Sequence, residues 1–166
     1  IGRIPAYCRT QGAIDAAALE GVDAVVHLAG ENIAGGRWTE ARKTLLRSSR
    51  VGPTALLART LAGLKKKPKV LVSASAVGYY GNRGDTWVSE RNAPADDFLG
   101  RLSVEWEAAA EPARKAGIRV VHPRKDEVMS IVWQKSDGST ARRGKIAVKP
   151  IHAYRTRAYL RLRAEY

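Results

Sequence analysis

Three short apolar runs, separated by stretches whose apolar residues recur at helical spacing, organise the chain between Gly21 and Arg124. The first run, Gly21 to Gly30 (GVDAVVHLAG), is rich in β-branched valine and bounded by glycines, the pattern of a strand buried on both faces. Thr39 is placed to cap a helix over Glu40 to Arg50, where Ala41, Leu45 and Leu46 fall at helical spacing amid charge. Gly52-Pro53 then predicts a break, with Pro53 in the first turn of a second helix over Thr54 to Leu64. Lys65-Lys66-Lys67-Pro68 closes that helix with cations that complement its dipole, and Val70 to Val77 (VLVSASAV) predicts a second buried strand. After a loop rich in Gly, Asn, Asp and Pro (Gly81 to Asp97), one helix is predicted over Phe98 to Ala116. It spaces Leu99, Leu102, Val104, Trp106 and Ala110 among charges and closes on Gly117, and Ile118 to Val121 reads as a third strand.

Strands separated by helices imply right-handed crossovers and a mainly parallel sheet with helices on both faces, an α/β doubly wound architecture. In such sheets ligands gather at the carboxyl ends of the strands. Those ends are Leu28-Ala29-Gly30-Glu31, then Ser73 to Gly81, then His122-Pro123-Arg124.

Charge changes this picture by dividing the chain. Its 166 residues carry 29 Lys+Arg against 16 Asp+Glu, a formal net charge of +13. Residues 125–166 hold 10 Lys+Arg and 4 Asp+Glu, so the last quarter carries nearly half of the excess. The expected organisation is a partial α/β domain over 1–124 and a basic segment over 125–166. In that segment Arg142-Arg143-Gly144-Lys145 precedes His152 to Tyr166, which interleaves Arg155, Arg157, Arg161 and Arg163 with Tyr154, Tyr159 and Tyr166. Such a pattern can hold nucleic-acid phosphates while its aromatics stack on bases. Without an RNA- or DNA-binding motif, the simpler reading is a solvated tail, with Trp133 and Ile146-Ala147-Val148 adding a strand to the sheet edge.

The longest apolar run is far short of the roughly 20 residues that cross a bilayer, so no membrane span is expected. Ile1 to Thr10 places Arg3, Pro5 and Arg9 where a secretory signal would be apolar. The lone Cys8 permits neither an internal disulfide nor a metal cluster, and a reducing, cytoplasmic compartment is expected. Gly78-Tyr-Tyr-Gly81-Asn-Arg-Gly84 has the glycine spacing of a dinucleotide loop, but a Pro-containing loop follows it instead of a helix, so it reads as a turn.

Four segments taken in order are recognisable: HLAGENIAGGRWTEARK (His27 to Lys43), SASAVGYYG (Ser73 to Gly81), FLGRLSVEWE (Phe98 to Glu107) and IRVVHPR (Ile118 to Arg124). From about Ile14 to Arg124 the chain resembles the NAD-dependent epimerase/dehydratase family, in the sugar-nucleotide epimerase-like branch of the extended short-chain dehydrogenase/reductases. The resemblance implies a Rossmann-like fold, NAD(P) as cofactor, and a sugar nucleotide or similar hydroxy/keto compound as small-molecule substrate.

It also assigns residues. Ala29 and Gly30, flanked by Leu28 and Glu31, match the small residues that let the backbone approach the cofactor ribose. Ser73, Ala74 and Pro123 are implied at the cofactor, and Ser75 matches the catalytic serine. Tyr79 and Tyr80 fill the place of the tyrosine after that strand; either phenol lines the pocket or packs under the loop. The family's Tyr-x-x-x-Lys is replaced by Asp97 and Arg101. Arginine can still bind ribose hydroxyls, but a carboxylate cannot do a phenol's proton transfer at the same pKa. Either Tyr79 or Tyr80 substitutes, or the site is not a conventional oxidoreductase. On a helix the plain alternative for Asp97 and Arg101 is a solvated i, i+4 ion pair.

The family's glycine-rich turn lies well before the HLAG strand, where this chain shows only Ile1-Gly2-Arg3 as an echo, and the resemblance stops after Arg124. The expectation is an incomplete, truncated or frame-shifted member with weak cofactor binding. The competing reading is a non-catalytic Rossmann fragment acting in interactions.

Overall fold

A computed structural model describes residues 14–34 and 36–125, together with the backbone of 129–134, 140–146 and 159–163. The chain forms two units, Ile1–His122 and Pro123–Tyr166. In the first unit β1 (Ala24–His27), α1 (Glu40–Ala62), β2 (Val70–Ser73), the two-residue β3 (Ser75–Ala76), α2 (Phe98–Ala108), α3 (Glu111–Lys115) and β4 (Arg119–Val121) follow one another. The sheet is parallel in the order β1-β2-β4, with Val25 beside Leu71 and Leu71 beside Val120. This is the Rossmann-like arrangement that the strand and helix pattern implies.

Helix α1 begins as expected, with the Thr39 hydroxyl accepting the Arg42 amide at 3.2 Å. It does not break at Gly52-Pro53: one helix of 23 residues runs through Pro53. A proline inside a helix removes one donor and crowds the carbonyl four residues back, here Ser49. The buried stripe Leu46, Thr54, Leu57, Ala58 and Leu61 spans that point, and its packing outweighs the local defect.

The single helix expected over Phe98 to Ala116 is instead two. Asp97 caps α2, its carboxylate accepting the Gly100 amide at 2.7 Å. Pro112, with no amide hydrogen to donate, ends the ladder and occupies the first turn of α3, the position a proline tolerates. The predicted strand Val70 to Val77 is likewise interrupted: Ala74 donates to the His27 carbonyl at 2.9 Å, and after β3 the chain tightens into a 3-10 turn, Val77–Tyr79.

The core joins Val25 and Leu71 to Leu57, Ala58 and Leu61 of α1, to Ala110 and Ala113, and to Ile118. Alternation along β1 puts His27 on the same face as Val25. Val72, on the opposite face of the sheet, is also fully buried.

In the second unit β5 (Arg124–Lys125), β6 (Met129–Gln134), β7 (Thr140–Ile146) and β8 (Tyr159–Arg163) are described. Strand β6 is central, antiparallel to β7 and parallel to β8. Trp133 and Ile146 therefore belong to this sheet and do not extend the parallel one. The register sets Arg143 and Arg161 beside Val132, and Lys145 and Tyr159 beside Ser130. Ile131 with Leu160, and Trp133 with Leu162, alternate with them along the strands, the period that defines a two-faced sheet. The Arg142 to Lys145 cluster thus lies in a paired strand. Ala147, Val148, His152, Tyr154, Arg155, Arg157 and Tyr166 lie outside the described residues, as do Ile1-Gly2-Arg3 and Cys8. Among the described residues no helix is long and apolar enough to cross a membrane.

Gly100 fixes where the Gly81 to Asp97 loop meets α2, because a Cβ there would collide with the backbone carbonyl of Ala95. Gly100→Ala is expected to destabilise the chain by about 1–3 kcal/mol. A urea midpoint shifted down measures it, and an unchanged midpoint would mean that the loop does not press on the helix.

Candidate functional site

The carboxyl end of β1 is held from α1. Arg50 donates through Nη2 to the Glu31 carbonyl at 2.9 Å, and Ser49 Oγ accepts the Glu31 amide at 3.1 Å. The Glu31 carboxylate pairs with Arg42 at 3.3 Å, and Arg42 also donates to the Asn32 carbonyl. Both backbone groups and the side chain of Glu31 are thus tied to one helix. A Cβ on Gly30 would come within 3.3 Å of the Arg50 guanidinium, so the glycine also leaves room for that side chain. Ala29 and Gly30 are exposed at this rim, and Leu28 is partly buried.

Beneath the rim, three elements meet on one hydroxyl. Thr54 Oγ1, fully buried in α1, accepts Trp106 Nε1–H from α2 at 2.9 Å and lies 3.1 Å from His27 Nε2 of β1. With Trp106 donating, the Thr54 proton is available to His27 Nε2, which suits a neutral ring. Burial lowers the His27 pKa, acting in the same direction. The Arg50 guanidinium stands 5.2 Å from the Trp106 ring, a cation–π distance. Burial lowers the Arg50 pKa, opposed by the Glu31 charge. Arg50 therefore links the rim above to the junction below.

At the end of β2, Ser73 is fully buried, and its hydroxyl has no hydrogen-bond partner among the described residues. Its carbonyl lies 3.3 Å from His122 Nδ1. Ala74 is partly exposed. Ser75, only 6% exposed, donates its hydroxyl to Glu107 Oε1 of α2 at 2.6 Å. Tyr79 and Tyr80 pack edge to face with ring centroids 5.1 Å apart. Tyr80 is buried and Tyr79 partly so. Pro123 opens the second unit.

Arg101 does not pair with Asp97. Asp97 is occupied as the cap of α2, and Arg101 Nη1 reaches Asp96 Oδ1 at 2.6 Å and the Asp96 carbonyl at 3.1 Å. The ion pair expected at i, i+4 is replaced because capping fixes the Asp97 carboxylate on the backbone. Arg101 is exposed and lines a shallow groove with Pro94, Ala95 and Val104.

The structure thus joins Ser75 to α2, and the Leu28 to Glu31 rim to α1. Sequence reasoning missed Thr54, Arg50 and Glu107. Thr54 carried a signal: a lone polar residue in the stripe 54, 57, 58, 61. Glu107 ended the recognised segment Phe98 to Glu107 with no role assigned, and Arg50 carried no signal.

No family model matches the chain. Over 119 residues, 72% of its length, it is 46% identical to the epimerase family protein Mb2239 of Mycobacterium bovis, and those residues make up 39% of that protein. The chain therefore spans well under half the length of the curated relatives it matches. In structure it resembles the nucleoside-diphosphate sugar epimerase of Corynebacterium glutamicum, with a TM-score of 0.57 and 38% identity over 68% of this chain and 23% of that one. It also resembles the human epimerase family protein SDR39U1 (isoform 2), crystallised with NADPH, with a TM-score of 0.60 and 32% identity over 74% of this chain and 40% of that one. The resemblance to the NAD-dependent epimerase/dehydratase family is borne out by these relatives.

Because the His27 pKa is depressed below its ordinary 6.5 in the folded chain, the unfolded chain binds more protons between the two values. Stability is full above about pH 6.5 and falls as pH drops through that window. Denaturation curves between about pH 7.5 and about pH 5 should therefore lose midpoint more steeply for the wild type than for His27→Gln. Parallel pH profiles would show that the buried ring carries no such penalty.

Proposed function

We propose that the chain is part of an NAD(P)-dependent, epimerase-like protein that acts on a nucleotide sugar or similar hydroxy/keto substrate. The observation that carries this reading is Ser75, at the family's serine position, held at the carboxyl end of the sheet by a 2.6 Å bond to Glu107. The M. bovis and C. glutamicum relatives are an epimerase family protein and a nucleoside-diphosphate sugar epimerase by name, and the human relative was crystallised with NADPH.

The residues at the strand ends fit a nicotinamide dinucleotide. Ala29 and Gly30 offer an exposed rim without bulky side chains, and Arg50 and Ser49 fix the backbone that follows. Leu28 to Glu31 would hold the ribose side, and Ala74 would face the nicotinamide. Arg101 would bind ribose hydroxyls on exchanging its Asp96 contact. A bound dinucleotide supplies reversible hydride acceptance at this place. Ser75 holds the reacting oxygen of the substrate, with Tyr79 partly exposed on the turn that follows. The reducing cytoplasm suits a chain with one cysteine.

Titration of the chain with NADPH and with NADH, followed through its four tryptophans, tests the reading. Quenching that saturates, together with interconversion of a nucleoside-diphosphate sugar by the protein carrying this segment, is the expected outcome. Saturable dinucleotide binding without turnover of any nucleotide sugar would favour the non-catalytic fragment, and absence of both would remove the proposal.

A further inference from the structure

We propose that Glu107 is a positioning residue that makes Ser75 a proton relay, replacing the phenol that Asp97 displaces from the family pattern. This rests on the function proposed above. A serine hydroxyl carries one proton, and here that proton points to a carboxylate oxygen 2.6 Å away. Hydrogen bonds from a hydroxyl to an ionised carboxylate fall at about 2.5–2.7 Å and are roughly twice as strong as neutral ones. Ser75 is 6% exposed, so water competes little for the bond. The two residues sit on separate elements, β3 and α2, and Trp106, the neighbour of Glu107, is tied in turn to Thr54 of α1.

Two consequences follow for chemistry. With its proton committed to Glu107, Ser75 presents lone pairs to the substrate and binds a hydroxyl as donor in preference to a carbonyl as acceptor. During oxidation of that alcohol the carbon–hydrogen bond breaks, and its electron pair leaves as hydride to the oxidised nicotinamide that the proposed function requires. The substrate O–H proton passes to Ser75 Oγ as the Ser75 proton passes to Glu107 Oε1. The products are a carbonyl, a reduced nicotinamide and a protonated Glu107. Return of hydride to the carbonyl carbon reverses each transfer and leaves Glu107 ionised, so an epimerisation cycle needs no net proton. Asp97, at the family's phenol position, is held instead as the cap of α2, accepting the Gly100 amide.

The test has two arms. In the first, the full chain with carboxyl-labelled glutamate is titrated by NMR, without cofactor or substrate. Ser75→Ala removes a donor to the ionised form and should move the Glu107 midpoint upward; an unmoved midpoint overturns the proposal. In the second, kcat/KM for alcohol oxidation is followed against pH. Wild type should show an acid limb set by Glu107, Glu107→Gln should lose that limb with kcat reduced about 100-fold or more, and Glu107→Asp should restore part of it. A limb unchanged in Glu107→Gln overturns the relay even where the midpoint moves, since the bond is then only structural. Should Glu107→Gln fail to fold, Glu107→Asp and Ser75→Thr carry the comparison. Failure of the wild type on every nucleotide sugar counts against the proposed function instead, and the NMR midpoint then decides the pair: upward movement keeps it and no movement removes it.

Discussion

One buried hydroxyl sets the geometry on which the rest of the first unit depends. Thr54 Oγ1 is the meeting point of β1, α1 and α2, accepting Trp106 Nε1–H and touching His27 Nε2 with no exposure to solvent. Apolar burial holds the helices against the sheet but is indifferent to small slides along it. A hydrogen bond tolerates a few tenths of an ångström, and in a dry interior losing it costs about 1–3 kcal/mol. The junction therefore ties α2 and β1 to one point of α1.

That constraint reaches the strand ends in two directions. Along α2 the residue after Trp106 is Glu107, so fixing the indole also fixes the carboxylate that receives the Ser75 hydroxyl. Along α1, four residues before Thr54, Arg50 stacks over the same indole and grips the Glu31 carbonyl, setting the rim that follows β1. Rim and serine belong to different strands, yet both are referred to the Thr54–Trp106 pair. Preorganisation of this kind is what the proposed hydride and proton transfer would need, because reacting atoms must be held within fractions of an ångström.

Much of this was legible in the sequence and some was not, for identifiable reasons. The valine-rich runs Val70 to Val72 and Ala24 to His27 read as buried parallel strands because both faces of such strands are apolar. Thr39 read as a cap because its position before a charged, amphipathic run leaves little else for it to do. Pro53 misled, since a local rule for proline was outweighed by a buried stripe on both sides of it. Pro112 misled in the opposite sense, its apolar surroundings masking the break it makes between α2 and α3. Gly30 was legible as a point of close approach, while the approach of the Arg50 side chain, twenty positions away, was not. The Asp97–Arg101 spacing suggested an ion pair, and only the capping geometry shows that the carboxylate is already committed.

The central claim is that Thr54 and Trp106 act as one unit, and a double-mutant cycle measures that directly. Thr54→Val keeps the shape and removes the hydroxyl, while Trp106→Phe keeps an aromatic and removes the N–H. Denaturant unfolding of the wild type, the two single variants and the double variant should give a coupling energy of about 1 kcal/mol or more, the double variant losing less than the sum of the singles. Losses that add within about 0.3 kcal/mol would contradict the account, because the junction would then be a contact and not a constraint.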